Sequence, residues 1–277
     1  MLEIRRLSLE EFSERVVPFL TAREVEHNLI LGIVAQQLAG QTPPRSDAVW
    51  LALEEDGVVV AAAIRTPPQY LIVTELPPGA ARAVADWFIA LGALPDGASG
   101  PGNDGRDVLL ALRAQLGGTV VLHSAETIYE LTRVADLALP PGVGRTAVES
   151  DRALVVEYFD AFIREVKLPP GPDAREMAGR HIAAGTALIW DDGGPRSVAC
   201  RARKMPTGAA IGPVYTAPDS RGRGYGGAVT AALARRELDA GSRFVCLFAE
   251  QKNPTANRVY QRVGFRPVRD FSVWSLG

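Results

Sequence analysis

Cysteine and histidine are scarce in this chain of 277 residues: two of the first, Cys200 and Cys246, and three of the second, His27, His123 and His181. Two cysteines, each inside an apolar, strand-like run, exclude a disulfide framework and read as reduced, packed thiols of a cytosolic protein. The histidines stand at no ligand spacing from cysteines or carboxylates, so no metal site is expected. An excess of positive charge is lacking too. The formal net charge is −2, which leaves no basic field to hold nucleic acid or an anionic membrane, and the expected partner is a small-molecule or peptide substrate. No apolar run reaches the ~18 residues of a membrane span, and Met1-Leu2-Glu3-Ile4-Arg5-Arg6 is not a signal peptide. A cytoplasmic protein is therefore expected.

The residues that are abundant fit a globular fold. The chain is 47% hydrophobic and 22% charged, and its 27 glycines and 20 prolines imply many turns without disorder. Its length has room for two domains of ordinary size. Apolar residues from Leu9 to Leu38 recur at helical spacing, broken near Pro18 to Thr21, so an opening strand leads into two short helices. Trp50 to Leu53, the acidic turn Glu54-Glu55-Asp56-Gly57 and Val58 to Ile64 read as a hairpin, followed by a strand over Tyr70 to Thr74. Helices are expected over Ala80 to Leu91 and Asp107 to Leu116, with a Gly/Pro-rich stretch of undecided strand content between them.

A similar order then recurs. Ala153 to Val166 and Asp173 to Ala184 read as helices, Ala187 to Trp190 as a strand, and Asp191-Asp192-Gly193-Gly194 as an acidic turn before a strand at Ser197 to Arg203. Two α/β domains that happen to share such hairpins remain the alternative. We read two versions of one unit, 1–137 and 138–277, joined at Leu139 to Gly144.

Chemistry concentrates in the second unit. A β-rich run from Ala209 to Thr216 precedes Arg221-Gly222-Arg223-Gly224-Tyr225-Gly226-Gly227, and a strong helix former continues from Ala228 to Leu238. Glycines let successive N–H groups point into one concavity at a helix N-terminus, where the helix dipole favours an anion. The loop is thus a diphosphate cradle, with Arg221 and Arg223 at its rim. By itself the loop could equally be a tight turn with solvated arginines or a dinucleotide fingerprint; against the latter, a single βα unit remains after this helix, too little for such a domain. That unit is a strand from Arg243 to Ala249 and a helix capped by Asn253-Pro254 and stopped by Gly264. A right-handed crossover brings the loop to the C-terminal ends of the strands, within reach of Asn253, Asn257 and Tyr260.

Val214-x-Thr216 before Arg221-x-x-Gly224-x-Gly226, and Asn253-x-x-Ala256-x-x-x-Tyr260-x-x-x-Gly264-Phe265 about 30 residues on, resemble the two motifs of the GCN5-related N-acetyltransferase superfamily. The resemblance covers Ala187 to Trp274 well. It implies two tandem α/β domains of that fold, each a mixed β-sheet flanked by helices, the first lacking the cofactor motif because Glu75-Leu76-Pro77-Pro78-Gly79 replaces the cradle. It further implies an enzyme moving an acetyl group from acetyl-coenzyme A to a primary amine by direct attack. The cofactor would lie on Val214, Tyr215 and Thr216, on Arg221 to Gly227, and on Asn253 and Asn257. Tyr260 would protonate the departing thiolate, and Glu250 is the first candidate for the base. The alternative is a non-catalytic coenzyme A-binding or sensing protein. Arg201 and Arg203, on one strand face, are a solvated pair or an anionic acceptor's contact. The acceptor, which Ala153 to Gly185 would shape, and the oligomeric state are not fixed by any motif.

Overall fold

The computed structural model describes residues 1–42, 45–167 and 173–277. Elements run in the order β1 (Leu2–Arg6), α1 (Leu9–Thr21), α2 (Asn28–Leu38), β2 (Val49–Glu55), β3 (Val58–Arg65), β4 (Leu71–Val73), α3 (Ala80–Leu91), β5 (Gly97–Pro101), α4 (Asp104–Leu116) and β6 (Val120–Leu131). The same order returns as β7 (Val143–Thr146), α5 (Arg152–Val166), α6 (Ala174–Ala183), β8 (Ala187–Asp191), β9 (Pro195–Lys204), β10 (Gly208–Thr216), α7 (Tyr225–Asp239), β11 (Phe244–Glu250), α8 (Pro254–Val263) and β12 (Arg266–Leu276). The duplication read from two short hairpins therefore extends through ten elements in each half.

Two compact units form. The first contains Met1–Ile128, Glu250–Lys252 and Val268–Gly277; the second contains Tyr129–Ala249 and Asn253–Pro267. Strand β12 thus passes its last residues to the first unit, whose sheet runs β1-β2-β3-β4-β5-β12-β6. Phe271 to Ser275 pair antiparallel with Gly97 to Pro101. The undecided Gly/Pro-rich stretch contains β5, all five residues buried. Low β propensity is overridden there by space, since a Cβ on Gly100 would lie 2.7 Å from Val73 Cγ2. The core of this unit gathers Leu51, Leu53, Ala61 and Ala63 under Val84, Phe88, Val108 and Leu112.

The second unit has the sheet β11-β10-β9-β8-β7, with helices on both faces. Helices α5 and α6 cover one face, where Val155, Phe159 and Ala178 pack on Ile189, Val198, Cys200 and Tyr215. Helix α7 covers the other, where Val229 and Leu233 pack on Leu188, Ala199 and Ile211 with Val263 and Phe265. Burying Phe159 completely contributes about 2 kcal/mol. The alternation Val198, Ala199, Cys200 between the faces is that of a strand covered on both sides. Cys200 and Cys246 are buried and form no disulfide, and burial pushes the Cys200 thiol up. Among the described residues no helix is long and apolar enough to cross a membrane.

Candidate functional site

Strand β10 organises the site. Its first residues pair parallel with β11, Gly208 to Ala210 against Phe244 to Cys246, and the pairing ends there. On its other edge β10 runs antiparallel to β9, with a register shift between Ile211, opposite Arg201, and Val214, opposite Ala199. The extra residue is a β-bulge at Gly212-Pro213, and it reverses the facing of the residues beyond it. Ile211 packs under α7, yet Tyr215, four residues on, packs with α5. Past the bulge Ala217 N donates to Arg196 O at 3.2 Å, so by ladder alternation Val214 and Thr216 turn their main-chain groups away from β9. They form a polar edge on the side where β11 has diverged.

The glycine loop closes the end of that edge. A short 3₁₀ turn, Pro218–Ser220, leads through extended Arg221 to Gly222 and Gly224, at φ 78° and 86°. Gly224 is the N-cap of α7 and has no side chain to cap it. The first bond into the helix runs from Ala228 N to Gly224 O at 3.0 Å, which leaves the amides of Tyr225, Gly226 and Gly227 without an intrahelical acceptor. A Cβ on Gly226 would stand 3.0 Å from Thr216 Oγ1, a tight contact that a side chain there would have to relieve by displacing the threonine. Successive donors, the helix dipole and the absence of a competing cap suit a diphosphate.

The loop side chains are already engaged. Arg221 donates from Nε to Thr216 O at 3.1 Å and from Nη2 to both oxygens of Glu165, at 2.8 and 2.9 Å, and lies 5.4 Å from the Tyr215 ring centre. Tyr215 in turn donates to Glu165 at 3.2 Å. Ser197 Oγ donates to Tyr215 O at 2.8 Å and stands 2.9 Å from Thr216 Oγ1. The Tyr225 hydroxyl donates to Asp192 at 2.5 Å, and that carboxylate holds its pKa above the ordinary phenol range. Glu165, Asp192 and Ser197 carry no motif. Their partners lie 56, 33 and 19 residues away, and no local pattern announces them.

Helix α8 supplies the rest. The half-buried Tyr260 packs edge to face on Phe265, centroids 6.0 Å apart, and burial pushes its hydroxyl up to about 12. It is therefore a proton carrier at neutral pH. Asn253 is the N-cap, accepting from Ala256 N at 3.0 Å. Asn257 accepts from Tyr129 at 2.8 Å and donates to Asn253 O at 2.7 Å, so its amide ties α8 to the end of β6. Glu250 ends β11, stands 3.5 Å from Lys252 and is grouped with the first unit. Arg201 is not a solvated strand residue: it pairs at 3.3 Å with buried Glu237 of α7.

The site thus joins an uncapped helix start to two parallel strands of a mixed α/β protein whose pairing stops at Ala210 and Cys246. Comparison with known proteins makes the class specific. Residues 195–275 match the family model described as FR47-like protein. A mycothiol acetyltransferase of Corynebacterium aurimucosum is 38% identical over 69 residues, which are 24% of this chain and 23% of that protein, so the match spans about a quarter of the curated relative's length. A GCN5-related N-acetyltransferase of Sphaerobacter thermophilus superposes with a TM-score of 0.66 at 17% identity, covering 99% of this chain and 95% of that one. A tandem protein of the same superfamily, from the clavulanic acid biosynthesis pathway, gives 0.52 at 15% identity, covering 99% and 98%. The chain thus shares the fold of GCN5-related N-acetyltransferases over its whole length, and its residues 195–275, which contain both motifs, match the FR47-like model.

Proposed function

We propose that the protein is an acetyl-coenzyme A-dependent N-acetyltransferase of the cytoplasm, acting on a primary amine, with copies over 1–137 and 138–277 of which the second is active. The observation that carries the reading is the uncapped start of α7 beside the main-chain edge of Val214 and Thr216. The Corynebacterium relative, a mycothiol acetyltransferase, supports acetyl transfer. Bound there, acetyl-coenzyme A supplies a thioester whose carbonyl is open to a nucleophile.

The chain's own groups then have distinct tasks. The amides of Tyr225, Gly226 and Gly227 take the diphosphate, with Arg221 and Arg223 adding charge and Asn253 and Asn257 flanking the arm from α8. Main-chain groups of Val214, Tyr215 and Thr216 hold the pantetheine arm and polarise the carbonyl. Tyr260, protonated throughout the physiological range, gives its proton to the departing thiolate. Glu250 is the proposed acceptor for the proton the ammonium sheds before attack. The first copy lacks the cradle and does not bind the cofactor.

Calorimetry with acetyl-coenzyme A tests the reading, together with thiol release over a panel of amines. Binding that Gly224→Glu abolishes, with acceptor-dependent thiol release, is the expected result. Absence of binding sinks the proposal, and binding without release from any amine turns it into a coenzyme A-binding protein.

A further inference from the structure

A cavity of about 390 Å³ opens on the α5 side of β10, next to the cradle and on the opposite face of the strand. Tyr158 and Tyr215 line it, 5% and 6% exposed, their rings 5.4 Å apart and tilted. Leu154 and Pro218 add apolar wall, and the exposed carboxylates Glu157 and Asp219 complete the lining. Its volume is that of a small-ligand site.

Ion pairing separates these two carboxylates from their neighbours. Around them Asp151 and Asp191 share Arg145, Glu149 holds Arg152 and Glu165 holds Arg221. Arg196 directs its guanidinium to Asp192 O at 2.8 and 3.1 Å. Among the described residues Glu157 and Asp219 have no cationic partner, and Asp219 only accepts from Ser220 Oγ at 3.2 Å. The segments 43–44 and 168–172 carry no charged residue that would supply one. Burial and, after it, the nearby carboxylates of Asp219 and Glu157 push the Tyr158 hydroxyl up. Tyr158 makes one long bond, 3.3 Å to Pro195 O, and keeps its oxygen lone pairs for a donor. Two unpaired carboxylates over aromatic walls in a concavity are the surroundings an alkylammonium binds best.

We propose that this cavity is a subsite for a second cationic group of the acceptor, so that the substrate class is a diamine or an amine carrying a further ammonium. The inference rests on the acetyl-transfer reading above. Tyr215 lies between Val214 and Thr216, whose main chain would hold the thioester arm, so one strand serves both ligands, the bulge turning the cation site to one face and the phosphate cradle to the other. The attacking nitrogen loses one proton to the base and bonds to the thioester carbonyl carbon. The C–S bond breaks, the thiolate takes a proton from Tyr260, and the nitrogen's second proton returns to the Tyr260 phenolate, which restores the hydroxyl. The distal ammonium stays protonated on Glu157 and Asp219 throughout.

The test uses the full chain with acetyl-coenzyme A and matched acceptors: butylamine against 1,4-diaminobutane, and pentylamine against 1,5-diaminopentane, followed by thiol release. The expected result is a kcat/KM for at least one diamine about tenfold above its monoamine, a ratio that Glu157→Gln and Asp219→Asn each cut by about threefold, while monoamine turnover and coenzyme affinity are unchanged. Equal use of diamine and monoamine, no use of any diamine, or variants that depress both acceptors alike overturns the inference while the coenzyme still binds. Failure to bind acetyl-coenzyme A, seen separately by calorimetry, instead overturns the acetyl-transfer reading and the acceptor role with it. Glu157 sits exposed on α5, so its variant carries the test even where Asp219→Asn disturbs the loop.

Discussion

The ends of β4 and β10 occupy the same step of the duplicated element order, and the two loops after them do opposite things. Each leads into a helix through a left-handed glycine without a side-chain cap, Gly79 at φ 83° before α3 and Gly224 at φ 86° before α7. Between strand and glycine, however, the first copy has Thr74-Glu75-Leu76-Pro77-Pro78 and the second Ala217-Pro218-Asp219-Ser220-Arg221-Gly222-Arg223. The two residues before Gly79 are prolines without an N–H to donate, whereas Gly222 and Arg223 before Gly224 keep theirs. The first loop carries the carboxylate of Glu75, tied to Arg23 at 2.7 Å and Arg269 at 2.9 Å, which also approach Glu26. A left-handed glycine opens the helix in both copies, beside the proposed anion cradle in one and a closed ion-pair network in the other. The helix start is thus permissive, and the loop's donors and charges decide its ligand.

That contrast breaks most visibly at Gly224. Putting a carboxylate there by Gly224→Glu strains the left-handed position and repels the diphosphate, and calorimetry should find acetyl-coenzyme A binding weakened by more than about a hundredfold with the circular dichroism spectrum kept. Grafting Glu75→Arg, Pro77→Gly and Pro78→Gly onto that variant tests the reverse; recovery of binding would mean that the loop alone makes the site. Next in size, Tyr260→Phe should lower kcat by roughly tenfold or more and leave coenzyme affinity within about twofold, because it removes a proton and no binding contact. An equal loss in both would make Tyr260 a packing residue only.

Smaller effects sharpen the charge side. Arg221→Gln should weaken coenzyme binding by about threefold to tenfold, and Glu165→Gln should strengthen it by about threefold, since Glu165 competes for the same guanidinium at a half-exposed site. The smallest effect belongs to the first copy. Burial pushes Asp104, at the start of α4, up to about 6 from its ordinary value of 3.8. Between those values the native chain keeps a proton that the unfolded chain has released. Its contribution is therefore fully present below pH 3.8 and lost as pH rises through about 6. Asp104→Asn should raise stability at neutral pH by about 1 kcal/mol, discounted for its half-exposed setting, and flatten the fall in Tm between pH 3.8 and about 6. Its neighbour Glu75 works oppositely: the hydrogen bonds from Arg23 and then Arg269 lower its pKa, so its contribution is present at neutral pH and fades on acidification below the usual carboxylate range.

Much of the fold is legible in the chain alone. Helical spacing locates α3 to the residue, and alternating or continuous apolar runs locate β2, β3, β8 and β11, because those elements bury one face or both with matching periodicity. Strand β5 is not legible, as Gly97-Ala98-Ser99-Gly100-Pro101 has no β-former and is a strand only because closely packed neighbours leave no room for side chains. Of the site, the cradle glycines and Tyr260 stand in a spaced pattern. Glu165, Asp192 and Ser197 meet the loop from other elements, and Glu157 and Asp219 are left without a cation because Arg145, Arg152 and Arg221 pair with other carboxylates.

By itself the sequence determined the periodic elements, the duplicated order and the glycine loop that opens α7, since each depends on residues close in the chain. Tertiary structure alone decided the bulge that turns Tyr215 to the α5 face, the capture of Arg221 by Glu165, and the passage of Val268–Gly277 into the first unit's sheet. Those depend on contacts between distant residues, where strand registers and ion pairs are settled by the best packing of the whole rather than by any local preference.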